Sequence, residues 1–376
     1  MIDDLLLDDS NGMSKLDASG MLAAVASSGA QMRETIATIN RDTLHAVSKG
    51  DQPRNLVIAG LGGSGVGGDV LKAVIGKSTP LPIISERSHN LPGWVGPMDV
   101  VVGVSCSGMT EETLSTTAEA GRRGARVITI GAGGSDLEKL SNSISGAVHF
   151  PIDAKGRSPR ASLWTHATPL LMVANALGIA HIDEKEYEIA ADLMDELSVA
   201  NGPSVPTLEN FAKGLALSCA ESLPMVWGTG MIGATAAARF MAQLAENSKI
   251  PATHGELPEV GHNQIVAFDG VLAGASPARD IFRDDDGAVD RRTHLYILRD
   301  TNEHPAVEKR IGIVSQIALD RNVPVTLLQA SGNHPISRLA SLIITTDWAS
   351  VYAGLALGID PSQISAINQL KAGLAN

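Results

Sequence analysis

Short apolar runs, each closed by glycine or polar residues, recur along this chain and alternate with longer segments of helical patterning. Residues 1–50 read as mostly helical, with an acidic leader before Leu16. A strand is predicted at Leu56 to Ala59, and others at Leu81 to Ser85, Val100 to Val104, Val127 to Ile130 and Ala147 to Phe150. Helix-like stretches such as Glu111 to Arg123 lie between them. Strands alternating with helices predict a parallel, doubly wound sheet covered by helices on both faces.

The pattern then restarts. Asn201-Gly-Pro-Ser-Val-Pro206 interrupts helical patterning with one glycine and two prolines, as a linker does. After it, Met225 to Trp227 runs into Gly228-Thr-Gly-Met-Ile-Gly233 and an Ala-rich helix reaching Glu246. Further strands are predicted at Leu295 to Leu298, Val325 to Leu328 and Leu342 to Thr345. Gly60-Leu-Gly-Gly-Ser-Gly65 holds the same place in the first series as Gly228 to Gly233 in the second, so the chain reads as a degenerate duplication. The expected organisation is a helical segment over 1–50, a first α/β domain over 51–200 and a linker at 201–207. A second α/β domain over 208–350 and a helical C-terminal segment over 351–376 complete it.

Composition narrows the function. A length of 376 residues with 44% hydrophobic side chains suffices for two cores. A net charge of −12 and only 3% aromatics argue against nucleic-acid binding, which needs a basic face and stacking platforms. Two cysteines, Cys106 and Cys219, make no disulfide framework, and the acidic start lacks a signal peptide's basic region. No apolar run approaches the ~20 residues of a membrane span. A cytoplasmic protein that does not engage membranes is the expectation. The run Arg283 to Asp290 reads as a solvated loop.

Two loops carry the chemistry. Gly60-x-Gly62-x-x-Gly65 satisfies a dinucleotide fingerprint, with Glu86 standing where a ribose-binding carboxylate belongs. Ser105-Cys-Ser-Gly-Met-Thr110 points elsewhere. Three hydroxyls, Ser105, Ser107 and Thr110, surround one turn that opens a helix whose first N–H groups lack backbone partners. Hydroxyls and amides of this kind hold a phosphate monoester without a lysine.

These loops resemble those of the sugar-isomerase (SIS) domain. Further stretches make the chain similar to the bifunctional phosphoglucose/phosphomannose isomerases. They are Pro159-Arg-Ala161, Ala245 to Ala252, Glu256 to Asn263, Asp347 to Tyr352 and Ala366 to Lys371. The resemblance implies two tandem SIS domains of flavodoxin-like topology and aldose–ketose isomerisation of hexose 6-phosphates without a cofactor. A phosphosugar-binding regulator is the alternative that the fold leaves open. It further implies a phosphate cradle of Gly63, Ser64, Ser105, Ser107 and Thr110, with Glu246 as the base. Arg160 would stand beside the developing enediolate, and His262 and Lys371 would open the sugar ring. A homodimer is implied, with His262 donated across its interface. The second domain shows no Ser-x-Ser-Gly-x-Thr sequence, so one sugar site per chain is expected.

His254-x-Glu256-x-x-Glu259-x-x-His262 could suggest a metal site, but Pro258 interrupts any helix that would align these groups, and the proton chemistry needs none. Met109, Ser248, Gly261 and Gln264 stand where the family commonly has Asn, Ala, Asn and Glu, which widens the range of sugars the pocket could accept.

Overall fold

The structure is a computed structural model describing residues 2–274 and 291–374; the run Arg283 to Asp290 and most of the 272–292 segment lie outside the described residues. The chain forms two compact units. The first comprises Ser27–Asp195 with Gly332–Ser337, and the second Met1–Ala26, Glu196–Ser331 and Arg338–Asn376.

In the first unit, five strands are β1 (Leu56–Ala59), β2 (Ile83–Glu86), β3 (Val100–Ser105), β4 (Arg126–Ala132) and β5 (Val148–Ile152). They pair in parallel in the order β2-β1-β3-β4-β5. Strands β1 and β3 are buried along their whole length, which is why they read as unbroken apolar runs rather than as alternation. Because β1 lies between β2 and β3, the crossovers after β1 and β3 leave in opposite directions. The crevice over the carboxyl ends of β1 and β3 is therefore the switch point at which such sheets bind ligands. Both glycine-rich loops predicted from the sequence open there.

The second unit repeats the plan with β6 (Leu223–Thr229), β7 (Thr253–Leu257), β8 (Thr293–Arg299) and β9 (Val325–Gln329), parallel in the order β7-β6-β8-β9. Its core is built around Trp227, stacked on Phe268 at 5.7 Å, with Leu257, Leu295, Ile297 and Ile311.

One predicted strand is a helix. Leu342 to Thr345 lies inside the helix Pro335–Ala356. This helix is apolar nearly all round, so its short runs carry no period that separates helix from buried strand. At 22 residues and mean hydropathy 1.3 it has the length and composition of a membrane span, contrary to the expectation from apolar runs, yet its most apolar stretch is wholly buried inside the protein. Conversely, β7 escaped the sequence reading. Thr253-His-Gly-Glu-Leu257 is an edge strand, buried only at Leu257, and lacks an apolar signature.

Candidate active site

The turn after β1 is shaped by its glycines. Gly62 adopts φ +54°, a backbone conformation that favours glycine. A side chain on Gly60 would lie 2.9 Å from the Val104 carbonyl, so the first loop presses on the end of β3. The helix Gly62–Ile75 that follows has no side-chain cap. Ser64, buried in its first turn, accepts through Oγ from the Cys106 N–H at 3.0 Å and ties the two loops together.

The second loop organises its own hydroxyls. Ser105, the last residue of β3, is buried; its Oγ lies 2.9 Å from Thr110 Oγ1 and accepts from the Gly108 N–H at 3.0 Å. Gly108 has φ +67°. Ser107 is exposed and accepts from the Met109 N–H at 3.2 Å. Met109, where the family commonly has Asn, is 67% exposed. Thr110 occupies the N-cap of the helix Glu111–Arg122 but makes no side-chain cap bond, because its hydroxyl turns to Ser105. Two helix starts without side-chain caps therefore open into one crevice beside three loop hydroxyls. That arrangement suits a phosphate group, whose oxygens accept from backbone N–H groups at the positive ends of helix dipoles.

Arg160 belongs to the same unit and neighbourhood. It lies in the 3₁₀ turn Pro159–Ala161 and is only 4% exposed. A Cβ on Gly63 would stand 2.8 Å from the Pro159 carbonyl carbon and 2.9 Å from the Arg160 nitrogen, so loop and turn are in backbone contact. The Gly63 carbonyl meets His166 Nε2 at 2.9 Å, and this fully buried imidazole supports the loop from below. Sequence reasoning missed His166, which sits in an apolar helix with no motif around it.

Glu246 is carried by the second unit. The helix Gly230–Gln243 ends in a wider turn, Leu244–Ser248, which leaves Glu246 half-buried. This turn is held firmly. Arg239 and Asp347, both buried, form a forked pair at 2.7 and 3.0 Å, and Gln243 Nε2 donates to the same carboxylate at 3.1 Å. Asn247 donates to Ser350 Oγ at 2.9 Å, and Lys249, at φ +59°, returns its ammonium to the Glu246 carbonyl at 2.6 Å. The stretch Asp347 to Tyr352, singled out by resemblance, thus serves as the wall against which the Glu246 turn is fixed.

His262 ends the 3₁₀ turn Glu259–His262 that follows β7. It is exposed, with its Nε2 3.3 Å from Arg310 Nη1. Gln264 clamps this segment: its carbonyl accepts from buried Trp227 Nε1 at 2.9 Å while its amide donates to the His254 carbonyl at 3.1 Å. A glutamate there could accept but not donate. Since the Gly230–Gln243 helix runs back from β6, Glu246 lies toward the amino edge of the sheet and His262 beyond its carboxyl edge. Five-residue β7 alone separates them by roughly 13 Å at ~3.3 Å per residue. Lys371 lies on the helix Ser365–Leu374, which buries none of its residues. The structure thus groups Gly63, Ser64, Ser105, Ser107, Thr110 and Arg160 in the first unit. In the second unit it sets Glu246 and His262 at opposite sheet edges.

Comparison with known proteins adds a family to these observations. Residues 208–374 match the bacterial phospho-glucose isomerase C-terminal SIS domain. The chain is 31% identical over 327 residues to a bifunctional phosphoglucose/phosphomannose isomerase of Caldicellulosiruptor bescii, covering 87% of this chain and 91% of that protein. It is 28% identical over 323 residues to the Aquifex aeolicus enzyme of the same name, covering 85% and 90%. In fold it resembles a glucose-6-phosphate isomerase like protein from Thermus thermophilus, with a TM-score of 0.59, 17% identity and 99% of each chain covered. Matched along most of its length to such enzymes and built on two sheets of their kind, the chain belongs to the bifunctional phosphoglucose/phosphomannose isomerase family.

Proposed function

We propose that this protein isomerises hexose 6-phosphates, converting glucose 6-phosphate, mannose 6-phosphate or both to fructose 6-phosphate through a cis-enediol. The observation that carries this reading is the crevice at β1 and β3, where two uncapped helix starts meet the loop hydroxyls in an arrangement suited to phosphate, in a chain of this family. In it, Gly63, Ser64, Ser105, Ser107 and Thr110 hold the phosphate and fix the sugar's register. Anchoring of this kind converts binding energy at a non-reacting group into orientation at the reacting carbons.

Glu246 serves as the base. Its carboxylate takes the proton from C2 of the open-chain aldose and returns it to C1, while the proton of the C2 hydroxyl moves to the C1 oxygen, so that C1 ends as the alcohol carbon and C2 as the carbonyl. One carboxylate suffices because the two carbons are adjacent. The buried Arg239–Asp347 pair supports this role by fixing the turn that presents Glu246. Arg160 offsets the negative charge that develops on the enediol oxygens, a fixed cation acting without proton transfer. His262 and Lys371 open the ring by moving a proton between the anomeric hydroxyl and the ring oxygen.

His262 acts on the partner subunit's sugar in a homodimer. The separation of Glu246 and His262 at opposite edges of one sheet supports this assignment, as do the exposed position of His262 and the fully exposed helix bearing Lys371. Both cysteines are unpaired and buried, in keeping with a cytoplasmic location. A coupled assay of fructose 6-phosphate formation from each aldose phosphate tests the reading. Turnover is expected, and no turnover by folded protein would overturn it.

A further inference from the structure

The duplication gives the second unit its own switch point, over β6 and β8. The two units can be aligned there residue by residue from strand pairing. Ala59 pairs with Gly103 just before Gly60, and Trp227 pairs with Ile297 just before Gly228. Val104 therefore corresponds to Leu298, Ser105 to Arg299 and Thr110 to His304. The correspondence extends to local structure. Gly230 adopts φ +55° against +54° at Gly62. Thr110 and His304 are each the N-cap of the following helix, and each loop takes six residues from strand end to cap. The sequence showed no counterpart to the phosphate loop in the second unit; by position there is one, Arg299 to His304, with different chemistry.

That loop already holds an anion, and the anion is its own. Glu303 has a side chain only 7% exposed. Its Oε1 accepts from Thr229 Oγ1 at 2.6 Å, and its Oε2 pairs with Arg299 Nη2 at 2.6 Å, with Arg299 Nε at 3.2 and 3.3 Å from the two oxygens. Thr229 in turn accepts from the Asp300 N–H at 2.8 Å, just as Ser64 accepts from the Cys106 N–H in the first unit. The remaining acid of the loop, Asp300, is matched by Arg338 at 2.6 Å. Thr229, whose hydroxyl donates to this carboxylate, is the N-cap residue of the helix Gly230–Gln243, which has no side-chain cap and so places an uncapped helix start beside Glu303.

We propose that the Glu303 carboxylate occupies the anion position of a duplicated phosphate site, closing the second unit's copy from within. The cation Arg299, the hydroxyl of Thr229 and the helix start are the recognition set of a phosphate site, with a tethered carboxylate as their resident ligand. Inorganic phosphate or a phosphate monoester would bind there only after Glu303 is removed. This goes beyond the isomerase reading and does not depend on it, because it concerns a different loop and is read as a difference between variants.

The test is a calorimetric titration of full-length protein with inorganic phosphate, comparing wild type, Glu303→Ala, Glu303→Gln and the double variant Arg299→Ala/Glu303→Ala. Glu303→Ala is expected to bind one more phosphate per chain than wild type, and the double variant to return to the wild-type number. Glu303→Gln, which keeps a group of the same size beside Thr229, is expected to show the same extra site at lower affinity. It also decides the matter if the alanine variant fails to fold. Phosphate should raise the melting temperature of Glu303→Ala more than that of wild type. An unchanged number of bound phosphates in the folded variants overturns the proposal, as does an extra site that survives loss of Arg299. Absence of phosphate binding in wild type would instead count against the first-unit cradle and leave this comparison intact.

Discussion

Gly63→Ala probes the join between the phosphate loop and the turn that carries Arg160. The added Cβ would meet the Pro159 carbonyl carbon at 2.8 Å and the Arg160 nitrogen at 2.9 Å. Both are backbone atoms, so no side chain can swing away. Ordinary carbon contacts begin near 3.5 Å, and loop and turn must therefore separate by roughly 0.6 Å. Overpacking of this sort costs about 1–3 kcal/mol of stability. A misplacement of about 1 Å can cost ~100-fold in rate, so kcat/KM for either aldose phosphate should fall about tenfold. Gly67→Ala is the matched control on the same helix. Its Cβ would sit 3.4 Å from His166 Cδ2 and 3.7 Å from Leu170, which is ordinary packing. It should gain about 0.5–1 kcal/mol from helix propensity and keep full activity. Urea unfolding and the coupled assay give both quantities. Wild-type kcat/KM in folded Gly63→Ala would refute the reasoning, as would an equal activity loss in Gly67→Ala.

Ser105→Ala removes the hydroxyl that organises Thr110 and Gly108; a hydrogen bond to a charged group is worth about 1.5–3 kcal/mol, so KM should rise at least tenfold with kcat less affected, read by steady-state kinetics. Asp347→Ala leaves Arg239 buried without its carboxylate and should cost about 3–5 kcal/mol in denaturant unfolding, with activity falling as the Glu246 turn loosens. Burial holds the His294 imidazole down at about 4, below its ordinary 6.5. The unfolded chain takes up this proton first as pH falls. The His294 contribution is thus complete above about pH 6.5 and is lost progressively toward pH 4. Melting temperatures of His294→Phe should fall less over that interval than those of wild type.

Much of this fold was legible because parallel strands buried on both faces leave continuous apolar runs, and the loops after β1 and β3 carry glycines and hydroxyls at fixed places. β7 was illegible for the opposite reason, being an exposed edge strand of polar residues. Leu342 to Thr345 misled because a helix buried on every side has no amphipathic period. Resemblance pointed to Glu246 and to Asp347–Tyr352 without relating them; only the folded chain joins them, through Arg239 and Gln243. His166 had no signal of its own, since one carbonyl contact across a helix leaves no spacing to read, and Gln264 stood out only as a departure from the family's Glu, with nothing to show what it clamps. Glu303 likewise looked like any loop acid until strand pairing aligned its loop with the phosphate loop.

The central claim is that Glu246 transfers the proton between C2 and C1 of a hexose 6-phosphate. It is tested most directly by measuring fructose 6-phosphate formation from glucose 6-phosphate and mannose 6-phosphate with wild type and Glu246→Gln. Wild type should turn over at least one of the two aldoses. The glutamine variant should lose about 10²–10⁴-fold in kcat, the usual contribution of a general base, while still binding the sugar phosphate. Full activity in folded Glu246→Gln would contradict the account.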